Sequence, residues 1–400
     1  MELPSSCDVL VIGAGPAGCA AAICLARQGA RVVLVDQKVF PRDKVCGDGL
    51  ISDALSALGT LGLREAVLKE AFATRELRVY PPYGRYVGLR GEFACLPRER
   101  LDAMLADAAQ AAGATCVFGI AATGVLEDEN RVVTGARFAV ERARVDVRAT
   151  VTVLATGANA AALRQFGLPA SLQPDAVAGR AYYEMPPDVA ARFDSLIIGY
   201  DRAWCPGYGW IFPSPGNRVN IGVGLFTGSD NERRLREFWT AFTTRFTPAA
   251  DLLRSARLIR AFRGAPLRTS MTVASFGRPG LLAVGEASSL TYAATGEGIG
   301  KAMESAILAA RYAQEALAGR RELRTLHQEY EREFREQFSL RYRAYAVAQR
   351  WAANPIVLSL LASRTNRGTF ARHELEELIA ERGNARVLFS KRGLVKAIVS

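Results

Sequence analysis

The feature that most constrains the fold lies near the N-terminus. The apolar run Cys7-Asp8-Val9-Leu10-Val11-Ile12 enters Gly13-Ala14-Gly15-Pro16-Ala17-Gly18, an alanine-rich stretch continues to Arg27, and a second apolar run from Arg31 to Val35 ends at Asp36. This order predicts strand, glycine turn, helix and strand within about thirty residues. A GxGxxG alone also occurs as a chance turn, but between a strand and a helix each glycine has a task. Gly13 makes the tight turn, Gly15 lets the backbone approach a pyrophosphate, and Gly18 lets helix and strand touch. The helix N-terminus stabilises phosphate charge, and Asp36 stands where it would accept hydrogen bonds from a ribose. The passage therefore predicts a dinucleotide site on a Rossmann-type unit.

Four hundred residues, half of them hydrophobic, can bury the cores of two lobes. No uncharged apolar run reaches the roughly 18 residues of a spanning helix, and the first residues hold a structured motif in place of a secretory leader. The seven cysteines (Cys7, Cys19, Cys24, Cys46, Cys95, Cys116, Cys205) are scattered, odd in number and without CxxC spacing, so reduced thiols and a cytoplasmic location are expected. His327 and His373 have no second ligand or nucleophile near them, which argues against a histidine metal centre, and each is expected as a solvated helical residue. The net charge of +11 comes without aromatic residues interleaved among Lys and Arg clusters, so no nucleic-acid partner is expected.

Further along, residues 96–114 read as a helix and 115–125, 131–140 and 144–154 as a β-meander closing on Thr152-Val153-Leu154-Ala155-Thr156-Gly157. Between about 178 and 270 short strands and the turn Ser214-Pro215-Gly216-Asn217 predict a separate antiparallel sheet. Leu281–Val284 returns to a buried-strand pattern, and a helix starts at Gly296-Glu297-Gly298-Ile299. The expected fold class is mixed α/β (α+β). A discontinuous dinucleotide-binding domain covers 1–74, 96–177 and 276–320, an antiparallel-sheet substrate domain covers 75–95 and 178–275, and a helical C-terminal region covers 321–400.

With these motifs in order, residues 7 to about 310 resemble the geranylgeranyl reductase family of FAD-dependent oxidoreductases, within the para-hydroxybenzoate hydroxylase-like fold. The carriers of the resemblance are the fingerprint, Phe40-Pro41-Arg42-Asp43-Lys44-Val45-Cys46-Gly47-Asp48-Gly49-Leu50, Arg98 in RERLD, Pro206-Gly207-Tyr208-Gly209-Trp210-Ile211-Phe212-Pro213, and Gly296-Glu297-Gly298-Ile299. The resemblance implies noncovalent FAD held by Gly13, Gly15, Pro16, Ala17, Gly18, Asp36, Gln37, Arg42, Cys46, Gly47 and Arg98. It adds Ala122, Ala155, Gly157, Gly285, Glu286, Gly296, Gly298 and Ile299 to that set. Cys46 and Gly47 would lie near the isoalloxazine ring as the catalytic pair, the thiol giving a proton to substrate, although a free cysteine also serves as a small buried hydrophobe. Arg98 would hold the pyrophosphate, or stand as an ordinary surface charge in a first helical turn. Gly296–Ile299 would bring a helix N-terminus to the pyrimidine end of the ring.

Tyr208, Trp210 and Phe212 have period two and share one strand face, either as a plain core stripe or as the substrate-binding wall the resemblance implies. Such a wall suits a polyprenyl chain, bound by area burial of about 25 cal/mol per Å². Several departures bear on substrate: Glu286 follows Gly285 where the family has Asp, Ala155-Thr156-Gly157 replaces an Asp-Gly pair, and Ser214 replaces a common lysine. The function expected is reduction of carbon-carbon double bonds in a lipophilic substrate. A flavin monooxygenase or halogenase and a non-catalytic prenyl-binding protein are the alternatives. YGWIFP is not the halogenase WxWxIP, and Lys38 and Lys44 read as surface residues. No second GxGxxG is present, so an external electron donor is expected, NAD(P)H or a reduced protein carrier. Apolar clusters at 356–361, 387–389 and 394–399 beside Arg364, Arg367, Arg386, Lys391, Arg392 and Lys396 allow peripheral contact with the inner membrane face, but the acidic stretch HELEELIAERG between them favours a packed helical subdomain.

Overall fold

Val9 and Val11 of the first strand are buried in one core and Leu10 and Ile12 in another, the pattern of a strand covered on both faces. The structure, a computed structural model, describes residues 3–141, 143–169, 175–226, 231–269, 271, 275–293, 295–388 and 390–399. In chain order β1 (Ser6–Ile12), α1 (Pro16–Arg27) and β2 (Val32–Asp36) precede β3 (Gly49–Leu50), α2 (Ser52–Thr60), α3 (Arg64–Glu70), β4 (Phe72–Tyr80) and β5 (Val87–Cys95). Next come α4 (Arg98–Ala111), β6 (Thr115–Phe118), β7 (Ala122–Glu127), β8 (Val133–Val140), β9 (Ala143–Leu154) and α5 (Ala160–Gln165). The middle of the chain holds β10 (Ala176–Glu184), α6 (Pro187–Ala190), β11 (Leu196–Gly199), β12 (Gly207–Ser214), β13 (Arg218–Leu225), α7 (Asn231–Arg245), α8 (Thr247–Leu253) and β14 (Arg257–Leu267). The remainder is β15 (Gly277–Arg278), β16 (Leu281–Ala283), α9 (Ile299–Leu317), α10 (Leu326–Ala352), α11 (Pro355–Arg367), α12 (Phe370–Ile379), α13 (Ala385–Leu388) and α14 (Lys391–Val399).

These strands form two sheets. The first runs β15-β16-β9-β1-β2-β6, with β16, β9, β1, β2 and β6 parallel, and its β8 joins β9 antiparallel and carries β7. The expected meander is therefore β7, β8 and β9; β6 instead pairs parallel with β2, because α4 carries the chain across the sheet before it. The helices α1, α4 and α9 cover one face of this sheet.

The second sheet runs β14-β10-β13-β12-β11-β4-β5-β3 and is antiparallel except where β11 pairs parallel with β4. Gly49–Leu50 and Phe72–Thr74, expected in the nucleotide domain, pair in this sheet. Its outer face packs Ile211, Val219, Ile221 and Val223 on Phe238, Phe242 and Phe246 of α7 and its C-terminal end. Its inner face carries Tyr208, Trp210 and Phe226.

The helix α10 lays Leu326, Tyr330, Phe334, Tyr342 and Tyr345 on the core of the first sheet. His327 is correspondingly buried, contrary to the solvated position expected, and burial lowers its pKa. The helices α11 and α12 pack Ala362, Leu375 and Ile379 on Val79, Val87 and Leu89, which is the packed-subdomain arrangement for much of the C-terminal region. Within that region residue 389 lies outside the described residues. All seven cysteines are free thiols.

Candidate active site

The glycine turn works through backbone contacts. Gly13 has φ +103°, and a Cβ there would land on the Ala155 carbonyl oxygen of the strand alongside; a Cβ on Gly18 would land on the Gly13 carbonyl oxygen. Gly15 differs. It caps α1 with extended backbone ahead of Pro16, and a Cβ on it would meet only Arg42 Nη2 at 3.8 Å and Arg98 Nη2 at 4.0 Å. The space in front of Gly15 is thus open, positively lined, and at a helix N-terminus, as an anionic pyrophosphate requires.

Both arginines converge on one carboxylate absent from the sequence-derived set. Arg98 donates Nε and Nη2 to Asp102 at 2.7 and 2.8 Å, and Arg42 Nη2 stands 3.0 Å from Asp102 Oδ2. Arg98 is therefore a buried, oriented guanidinium and not a surface charge. Among the described residues the buried Arg42 Nη1 has no hydrogen-bond partner, a donor left over for a ligand. The i,i+4 spacing of Arg98 and Asp102 in RERLD was the available signal.

Asp36, nearly fully buried, accepts Ala14 N–H at 2.7 Å and Lys38 N–H at 2.8 Å, which fixes its carboxylate beside the turn with lone pairs to spare. From here a cavity of about 510 Å³ runs through the molecule. Gly13, Pro16, Ala17, Gln37, Ala122, Ala155 and Gly157 line its nucleotide end, and Glu286, Gly296, Gly298 and Ile299 its middle; Gly18 and Gly285 lie behind this surface. Gly285, at φ +63°, keeps the backbone tight against Ala17 and Ala302. Glu286 accepts Arg268 N–H at 3.1 Å, and burial raises its pKa, opposed by Lys44. Both lysines line the cavity, Lys44 half-buried and Lys38 exposed at its mouth.

The loop Cys46–Gly49 separates this end from an apolar one walled by Leu77, Phe93, Leu196, Tyr208, Trp210, Phe212 and Phe226. Tyr208 and Trp210 have ring centroids 6.0 Å apart, and Trp210 and Phe212 6.3 Å, so the period-two face continues as one aromatic wall. A Cβ on Gly222 of the adjacent strand would strike the Trp210 indole, so glycine there makes room for the ring. A Cβ on Gly47 would come within 3.4 Å of Trp210 and 3.5 Å of Phe212, and one on Gly49 within 3.2 Å of Phe212.

Cys46 is half-buried on the cavity wall, and burial, opposed by Arg98, raises its thiol pKa. A network of residues far apart in sequence fixes its loop. Asn220 Nδ2 donates to the Cys46 carbonyl at 2.8 Å and to Asp48 Oδ2 at 2.7 Å, while Trp210 Nε1 donates to Asn220 Oδ1 at 2.9 Å. The Tyr182 hydroxyl also donates to Asp48, and Asp48 N–H meets Cys46 Sγ at 3.4 Å. Asp48 is fully buried with φ +65°, and burial pushes it up to about 6 despite those donors. Asp48, Tyr182 and Asn220 were not among the expected site residues, since nothing local marks strand residues as partners of a loop so distant in sequence.

The residues present fit an FAD: a cleared helix N-terminus with an unpartnered arginine donor for the pyrophosphate, a buried acid at the end of β2 for the ribose, and an apolar-walled chamber beyond. Among the described residues no cluster of His, Cys, Asp and Glu could hold a metal ion, and no helix is long and apolar enough to cross a membrane.

Comparisons with known proteins agree with this geometry. Residues 6–340 match the family described as FAD binding domain. The chain is 31% identical over 335 residues to the menaquinone reductase of Mycobacterium tuberculosis, covering 78% of this chain and 77% of that protein. It is 30% identical over 344 residues to the digeranylgeranylglycerophospholipid reductase of Methanosarcina acetivorans, covering 82% and 80%. Among solved structures, a geranylgeranyl bacteriochlorophyll reductase-like protein from Thermoplasma acidophilum superposes with TM-score 0.78 at 24% identity, covering 99% and 96% of the two chains. A flavin-dependent brominase shares the fold with TM-score 0.78 at 19% identity over 98% of each chain.

Proposed function

We propose, the chain being a member of the geranylgeranyl reductase family of FAD-dependent oxidoreductases, that it saturates carbon-carbon double bonds of a polyprenyl or comparably lipophilic substrate. The observation that carries this is the continuity of the cavity: the nucleotide end passes the Cys46–Gly49 loop directly into the aromatic chamber of Tyr208, Trp210 and Phe212. A chain with few polar groups gains its affinity there by leaving water, and the rings orient it by shape. Bound FAD supplies the two-electron chemistry, with Gly15, Arg42, Arg98 and Asp36 holding its polar end. Asp102 keeps both guanidinium groups aimed at that end.

The residues of the chain have two tasks at the other end, excluding water and supplying a proton. The aromatic wall does the first. Cys46, kept protonated at neutral pH by burial, does the second by giving its thiol proton to the substrate carbon. The Asn220 and Asp48 contacts hold the loop that carries it. The electron donor is external to the chain, a nicotinamide or a reduced protein carrier.

A lipophilic substrate has to be collected from a membrane, and one surface supports peripheral docking on an anionic inner leaflet. Ile356 is 73% exposed and Tyr83 51%, and Ser359 Oγ accepts the Tyr83 N–H, which joins the β4–β5 turn to α11. Arg202, Arg85 and Arg367 are exposed around them. Co-sedimentation with anionic vesicles is expected to fall as salt rises and to fall further in Ile356→Asp.

Anaerobic incubation with chemically reduced protein and geranylgeranyl-bearing lipids, read by mass spectrometry, tests the reaction. The expected product gains two hydrogen atoms per bond reduced. Product formed only with oxygen, carrying an added oxygen or halogen atom, would assign the monooxygenase or halogenase reading of the fold instead.

A further inference from the structure

The strand β13 carries one polar side chain into the middle of the aromatic wall. Its Val219, Ile221, Val223 and Leu225 belong to the outer core, so Asn220, Gly222 and Gly224, which alternate with them, stand on the cavity side. In register these three lie opposite Phe212, Trp210 and Tyr208 of β12. A Cβ on Gly222 would strike the Trp210 indole, and one on Gly224 would stand 3.9 Å from its Cζ3. The two glycines thus clear a bed for the indole, and Asn220 closes one end of it.

Asn220 is completely buried, and its partners fix which way its amide points. An indole N–H can only donate and a backbone carbonyl can only accept, so Oδ1 faces Trp210 Nε1 at 2.9 Å and Nδ2 faces the Cys46 carbonyl at 2.8 Å. Nδ2 also donates to Asp48 Oδ2 at 2.7 Å, and the Asp48 N–H in turn meets Cys46 Sγ at 3.4 Å. Burial beside Tyr208 and Phe212 is non-directional and does not choose the edge of the indole that meets the loop. The bond to Asn220 does, and it sets Nε1 where a Cβ on Gly47 would be 3.4 Å away. One amide therefore joins the substrate wall to the loop that carries the thiol.

We propose that Asn220 is a positioning residue that decides which double bond of the substrate is reduced, by holding the Trp210 wall and the Cys46 loop in one fixed spatial register. This rests on the reading of the chain as a reductase with Cys46 as proton donor. In that reaction one carbon of the bond gains a hydride from the reduced cofactor and the other a proton from the thiol, and the thiolate then regains a proton from solvent. A polyprenyl chain presents nearly identical bonds one isoprene unit apart, so intrinsic reactivity does not choose among them. The distance from the wall that grips the chain to the thiol that protonates it does. Without the amide, wall and loop shift independently and neighbouring bonds come within reach.

The test uses the full FAD-loaded chain and two variants that break the link from opposite ends. Trp210→Phe keeps a ring and removes the N–H, while Asn220→Ala removes the bonds to both sides; should Asn220→Ala not fold, Trp210→Phe carries both measurements. The first needs no turnover: alkylation of Cys46 by iodoacetamide, followed by mass spectrometry, reads how firmly the loop is held. Its rate is expected to rise about tenfold in each variant, the worth of one buried hydrogen bond. An unchanged rate in Trp210→Phe overturns the link between wall and loop. The second is a single anaerobic turnover of geranylgeranyl diphosphate by reduced protein in heavy water, with the deuterium located by fragmentation. Wild type is expected to label one bond and each variant several, the double variant scattering no more than Asn220→Ala alone. A merely structural role would lower the yield and leave the label in place; that result, scatter in wild type, or additive scatter in the double variant overturns the proposal. Wild-type protein that forms no saturated product overturns the reductase reading and the bond choice with it, a failure distinct from an unchanged alkylation rate.

Discussion

Replacing Gly15 by alanine separates a cofactor defect from a folding defect. A Cβ at Gly15 meets nothing nearer than Arg42 Nη2 at 3.8 Å, and its backbone is ordinary extended geometry at a helix cap. The apoprotein should therefore lose at most about 1 kcal/mol, the usual cost of an unfavourable cap residue. A Cβ at Gly18 instead falls on the Gly13 carbonyl and within 3.3 Å of Ala155 Cβ, so Gly18→Ala has to move backbone and should cost about 3 kcal/mol or more. Affinity for FAD behaves differently. If the Gly15 methyl holds the pyrophosphate off two backbone N–H donors, each charge-assisted bond worth about 1.5–3 kcal/mol, the dissociation constant should rise roughly 10²–10⁴-fold. Flavin fluorescence titration of apoprotein, with urea unfolding of the same preparations, reads both quantities. Gly15→Ala binding FAD within threefold of wild type, or unfolding as readily as Gly18→Ala, would refute the assignment of that space to the pyrophosphate.

Asp102→Ala leaves Arg98 buried without its bidentate partner and should destabilise the protein by about 3–5 kcal/mol, measured by urea unfolding, with weaker FAD binding as well. Asp48 has a folded-state pKa raised from 3.8 to about 6, so the stability tied to its protonated form is present below pH 3.8 and lost as pH rises through about 6. Asp48→Asn, which suits the positive φ, should gain on wild type by about 3 kcal/mol between pH 4 and 7; a difference that does not vary with pH would remove the claim. Cys46→Ala should retain yellow colour and lose most turnover, with Cys46→Ser keeping more, and unchanged turnover in Cys46→Ala would reduce this cysteine to a packing residue.

What the sequence determined by itself was everything set by near neighbours along the chain. The strand, turn and helix around Gly13–Gly18 follow from apolar runs and glycine spacing, because turn sterics and helix-end charge act over a few residues. The shared face of Tyr208, Trp210 and Phe212 follows from strand period two for the same reason. Membership of the family was legible because five motifs stand in order. Tertiary structure alone decided which polar groups meet. Asn220 and Tyr182 reach Asp48 across 172 and 134 residues, and Lys301 reaches Glu381 across 80. It also decided that β6 joins β2, that β11 runs parallel to β4, and that His327 is buried. Sequence periodicity reports which face of an element is apolar but not which other element covers it. A buried charge is tolerated only beside partners that long-range packing delivers, as Asp53 and Glu381 do for Lys301.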